Sequence, residues 1–153
     1  MSSTTGMLYI MEFFGTFILS FGVNLSTSYA NGVQSPNIFL ILVSLFCGIT
    51  LTRKISGGHL NPAVTIGFTT YNKMNNTDWQ VGKHRPNEFL YILSQCSGAF
   101  TACVLSYIFY SGNILKVGAN PNYYSFQALF AEIIGTFIFV YSILCQSNTL
   151  YIN

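Results

Sequence analysis

An all-α, multi-pass membrane bundle is the fold class this sequence predicts, and three observations predict it. Only 7% of its 153 residues are Asp, Glu, Lys or Arg, against about a quarter in an ordinary soluble domain. Apolar residues make up 51% and the mean hydropathy is +0.48, which leaves too little polarity for a water-facing surface. The apolar residues also gather into four stretches near the 20 or so that a helix needs to cross a hydrocarbon core about 30 Å thick.

The first stretch, residues 7–28, sits where a secretory signal would. It lacks a basic leading region, exceeds a typical signal core and contains Glu12, so it is expected to be a retained helix. The second covers 36–51 with a few flanking residues, the third 87–110 and the fourth 126–145. No Lys or Arg stands at the centre of any of them. The intervals 29–35, 53–86 and 111–125 are rich in Gly, Asn, Pro or Ser, as connections are. Cys47, Cys96, Cys103 and Cys145 all fall in spans without metal or redox spacing, and are expected to be buried thiols.

The bases fall in groups: Arg53 and Lys54 end the second stretch, Lys73, Lys83 and Arg85 precede the third, and Lys116 stands alone between the third and fourth. The segment between the first two groups is too short to cross and leave its flanks on opposite sides. The positive-inside rule then places 53–86 and the N-terminus in the cytoplasm. His84, between two bases, reads as solvated loop, and neither Asn24-Leu25-Ser26 nor Asn75-Asn76-Thr77 is a strong glycosylation site.

Within 55–72 lies the pattern of a half-helix. Asn61 is a favoured N-cap, Pro62 suits the first helical position, and Ala63 opens an apolar run. About ten residues would reach about 15 Å, half the bilayer. The approach contains Gly57 and Gly58, which permit tight or left-handed turns, and then His59. Irregular backbone at that depth persists only where protein or a water-filled cavity satisfies it, so the segment points to a polar path.

Ser56 to Gly67, S-G-G-H-L-N-P-A-V-T-I-G, resembles the first signature box of the aquaporins and glycerol channels, the major intrinsic proteins. Glu12-x-x-Gly15-Thr16-Phe17 and Gln95-x-x-Gly98-Ala99 are similar to family positions on the first and third spans. An internal repeat is visible as well: M-E-F-F-G-T-F-I at Met11–Ile18 recurs as A-E-I-I-G-T-F-I at Ala131–Ile138, about 120 residues on. Three spans per copy make the second copy inverted. Residues 1–125 then form the first unit and 126–153 the first helix of a second, so a truncated, incomplete half-channel is the expectation.

The resemblance implies a passive path for water or small neutral solutes such as glycerol, lined by Asn61, Pro62, Ala63 and the carbonyls of Gly57, Gly58 and His59. Ile41 would fall at a constriction position on an ungapped count. Glu12 and Glu132, equivalent in the repeat, are read as acceptors for the backbone of a dipping loop. Gly15, Gly98, Ala99 and Gly135 are read as sites of close helix packing. Tetramers are implied by resemblance alone. The alternative is a non-conducting membrane protein with only helix-packing or interface roles; two antiparallel copies rebuilding a pore would conflict with the charge bias.

Other classes are excluded by residue type. Six scattered bases and a net charge of +2 form no stripe for nucleic acid. One aspartate, Asp78, no HExxH and no phosphate loop leave no acid–base pair, and Ser97-Gly98 lacks the context of a nucleophile elbow. Nothing implies a cofactor or metal.

Overall fold

The computed structural model describes residues 3–30, 33–81, 84–109 and 124–149. Lys83, Lys116 and nearly all of the 111–125 connection lie outside the described residues. Five helices follow in order: α1 Ser3–Leu25, α2 Ile38–Ser56, α3 Pro62–Met74, α4 Glu88–Phe109 and α5 Ser125–Thr149. Four of them, all but α3, are long and apolar enough to cross a membrane. The chain is a multi-pass membrane protein.

Side-chain caps start the helices. Asn37 Oδ1 accepts from the Leu40 N–H and Asn87 Oδ1 from the Leu90 N–H, opening α2 and α4. Between α1 and α2 the connection forms a two-stranded antiparallel ladder, Thr27–Ala30 against Val33–Pro36. The sequence predicts only a connection there, since four-residue strands carry too little alternation to register.

The helices meet along stripes of small and polar residues. Ser44, Gly48, Thr52 and Ser56 form the buried stripe of α2, and Tyr91, Gln95, Gly98, Ala102 and Ser106 that of α4. Each runs at three- or four-residue spacing, one helix face. A Cβ at Gly98 would collide with the Phe13 carbonyl and stand 3.2 Å from Phe17 N, so α4 lies directly on the α1 backbone. Lipid supplies no hydrophobic drive between helices, and close backbone approach takes its place.

This inverts the expectation for the thiols. All four cysteines are exposed on the bundle rather than buried. In a bilayer an apolar side chain gains nothing by facing inward, so hydrophobicity does not mark the packed face. Gly135 likewise has no neighbouring atom within 4 Å of where a Cβ would stand, so its expected role in packing does not arise among the described residues.

Contacts at the helix ends settle how the spans alternate. Tyr9 Oη near the start of α1 accepts from Asn87 N–H, and Lys73 at the end of α3 pairs with Glu88 at the start of α4 at 3.3 Å. Tyr91 Oη, one turn into α4, donates to the Ser56 carbonyl at the end of α2. The start of α1, the ends of α2 and α3 and the start of α4 therefore share one face of the bundle, the near face. On the far face Asn24 of α1 donates to Ser106 of α4. Helix α5 packs against α3, where Val140 and Leu144 border Gly67.

Candidate functional site: a re-entrant turn and half-helix

The path of the chain after Ser56 defines the site. Gly57 caps α2 in the left-handed region at φ 90°, Gly58 follows at φ 67°, and Leu60 takes φ 50°. The glycines carry no strain there, whereas Leu60 adopts a conformation costing about 1–2 kcal/mol for an L-residue with a Cβ. What offsets it is burial. Leu60 is 2% exposed and fills the notch between Gly15 of α1 and Gly48 of α2.

Gly48 lies eight residues before Ser56, about 12 Å back along α2. Four residues after leaving that helix, the chain has thus doubled back to mid-depth. Asn61, extended at φ −155°, then caps α3, its Oδ1 accepting from the Ala63 N–H at 2.8 Å with Pro62 at the start of the helix. Thirteen residues carry α3 to Met74 and back to the near face, about 20 Å. The segment enters and leaves on one side.

One carboxylate holds the turn. Glu12 is fully buried and accepts from Ser56 Oγ at 2.6 Å, His59 N at 3.1 Å, Leu60 N at 2.8 Å and Gln95 Nε2 at 2.7 Å. Burying a carboxylate is tolerable only with such donors, and charge-assisted bonds are the strong ones.

These bonds also aim the backbone. No peptide bond in the described chain is cis. In a trans peptide the carbonyl points opposite to the following N–H. The His59 and Leu60 N–H groups point at Glu12, so the Gly58 and His59 carbonyls point away from it. The Gly58 N–H donates to Ser56 Oγ at 3.3 Å, so the Gly57 carbonyl turns away as well. None of the three carbonyls has a hydrogen-bond donor among the described residues. Asn61 Oδ1 is committed to its cap, which leaves the amide Nδ2 presenting donors beyond the helix tip.

Of the residues singled out from the sequence, Gly57, Gly58, His59, Asn61, Pro62 and Ala63 are contiguous on the turn and helix tip, with Glu12 behind them. His59 presents its carbonyl outward, while its ring lies inward on Phe68 and Trp79. Ile41 is half-buried near the opposite end of α2, sixteen residues from Gly57 and about 24 Å along the axis. Glu132 is exposed on α5, with no dipping turn beside it among the described residues. His84 is half-buried, its backbone paired with Val81.

Sequence reading assigned no role to Ser56, Thr65, Tyr91 or Trp79, and cited Gln95 only for its likeness to the family. Ser56, Thr65, Tyr91 and Gln95 are among the most buried side chains. Gln95 had a usable signal: an amide inside an apolar span seeks a partner. Trp79, in a polar connection, had none.

A family model, the major intrinsic protein, matches residues 2–150. The chain belongs to the major intrinsic protein family. Among curated relatives of the family, the probable aquaporin PIP2-4 of Arabidopsis thaliana is 36% identical over 114 residues, covering 71% of this chain and 35% of the relative. Aquaporin TIP2-3 of the same plant is 30% identical over 146 residues, covering 88% of this chain and 55% of the relative. The probable aquaporin PIP1-2 of Oryza sativa subsp. japonica is 34% identical, covering 91% and 50%. The chain thus spans about half the length, or less, of these aquaporins. No solved structure gives a significant match.

Proposed function

We propose that this chain supplies one half of the wall of a passive, aquaporin-like channel for water or small neutral solutes. The observation that carries the proposal is the row of three carbonyls, Gly57, Gly58 and His59, that have no donor among the described residues and lead to the Asn61 amide at the N-terminus of a half-helix. A water molecule moving along that row exchanges hydrogen bonds with acceptors and then meets a donor, without ever being bare. The helix tip carries roughly half a positive charge and opposes cations. In lipid such a row would cost several kcal/mol per group, which supports its bordering a water-filled path.

These groups wall the path on one side. The other side belongs to a second, inverted unit, of which α5 with Glu132 is the first helix; Glu132 would hold that unit's turn as Glu12 holds this one. Pro62 and Ala63 shape the tip, and Ile41 would narrow the far mouth. The charge bias supports a cytoplasmic near face, with 53–86 and the N-terminus on that side. Glycerol as a solute and assembly into tetramers are proposals from the family.

The test is osmotic swelling of proteoliposomes holding the chain, beside the Asn61→Asp variant. Aspartate keeps the capping oxygen and loses the amide donors, so swelling should fall at least about threefold with the helix start preserved. Wild-type swelling equal to that of empty vesicles would show that this half does not conduct unaided and would favour a non-conducting, helix-packing role for it.

A further inference from the structure

Trp79, the chain's single tryptophan, lies in the connection between α3 and α4, and its ring is 5.2 Å from that of His59 at an interplanar angle of 23°. Tyr91 of α4 meets Trp79 edge-on at 4.9 Å and His59 at 5.6 Å, while Phe68 of α3 stacks on His59 at 4.7 Å. The imidazole Nδ1 lies 3.1 Å from Thr65 Oγ1, a hydroxyl that accepts from Gln95 Nε2. The connection is itself tied down. Asp78 pairs with Arg85 at 2.8 Å, Val81 and His84 exchange backbone hydrogen bonds, and the Thr77 N–H donates to the Asn72 carbonyl at 2.9 Å. Val81 stands at Gly57, 4.0 Å from the place of an added Cβ.

The two peptide planes flanking the His59 Cα are each tied to Glu12 by one hydrogen bond, and a single bond leaves a plane free to swing about its own axis. A third fixed point, the side chain, stops that swing. We propose that Trp79 is a positioning residue for the channel: by stacking on the His59 imidazole it fixes the direction of the Gly58 and His59 carbonyls and couples the α3–α4 connection to the re-entrant turn. This rests on reading those carbonyls as acceptors for the permeating solute.

Three measurements on the full chain in vesicles test it. Amide hydrogen exchange over residues 57–61 should accelerate about tenfold in Trp79→Ala, with α1 and α4 unchanged, and return to within about twofold of wild type in Trp79→Phe, which keeps a ring on His59. Iodide quenching of the lone tryptophan should rise about twofold in His59→Ala as the stack is lost. Swelling should fall about fivefold in Trp79→Ala and recover in Trp79→Phe. Unchanged exchange in Trp79→Ala, or unchanged quenching in His59→Ala, would overturn the clamp. Altered exchange with undiminished swelling would overturn its role in permeation. Wild-type swelling no faster than empty vesicles would instead strike conduction by this chain unaided, leaving the clamp to be decided by exchange and quenching.

Discussion

Glu12 and Asn61 do opposite things with the same kind of atom. The Glu12 oxygens face inward and are saturated by four donors, whereas Asn61 spends its one oxygen on a cap and leaves its nitrogen outward. Glu12→Gln keeps the shape but removes the charge and turns an NH2 toward groups that are all donors. It should lower stability by about 3 kcal/mol or more, read as a fall in Tm in detergent micelles. Asn61→Ala should lose the cap, about 1 kcal/mol, as well as the donor, whereas Asn61→Asp should keep the cap and exchange the donor for a carboxylate oxygen. Comparing their melting temperatures beside their swelling rates separates the two duties of that side chain. Asn61 was legible from its own sequence neighbourhood because capping is local. The use of Leu60 as a left-handed wedge was not, since the notch it fills comes from Gly15 and Gly48, distant in sequence.

Among the helices, the glycines distinguish those packed tightly from those left open. Gly98 meets the α1 backbone, so Gly98→Val should force α1 and α4 apart and destabilise the chain by about 1–3 kcal/mol or more. Gly135, with no neighbour within 4 Å of an added Cβ among the described residues, should accept alanine with unchanged or higher stability, by up to about 1 kcal/mol from helix propensity. Thermal unfolding of the two variants checks both, and equal losses would contradict the packing described. Four spans and the half-helix start could be read from the sequence because length and capping residues encode them. The inward faces could not, as the cysteines demonstrate: in these apolar spans it is the small and polar residues that mark the packed side, and no hydrophobic periodicity points to it.

Across the bundle as a whole, the re-entrant course puts Lys54 and Asn75 on the same side of the membrane although twenty residues separate them. In a cysteine-free background, Lys54→Cys and Asn75→Cys should react with a membrane-impermeant maleimide added to one side of sealed vesicles, and Tyr124→Cys with reagent added to the other. Labelling of Lys54→Cys and Asn75→Cys from opposite sides would refute the fold. Basic residues and segment length made this topology legible, and the repeat marked Glu12 as an acceptor for the backbone of the turn; its side-chain donors Ser56 and Gln95 were not legible, because they sit on other spans that no local pattern links. That network bears on how the protein is made. The partners of Glu12 follow it by 44, 47, 48 and 83 residues. During synthesis the acid must therefore be inserted, or kept waiting, before α4 has emerged to shelter it. Three of its donors, at 56–60, precede α4 in the chain and the fourth is Gln95, so the network closes fully only once the third span has been loaded.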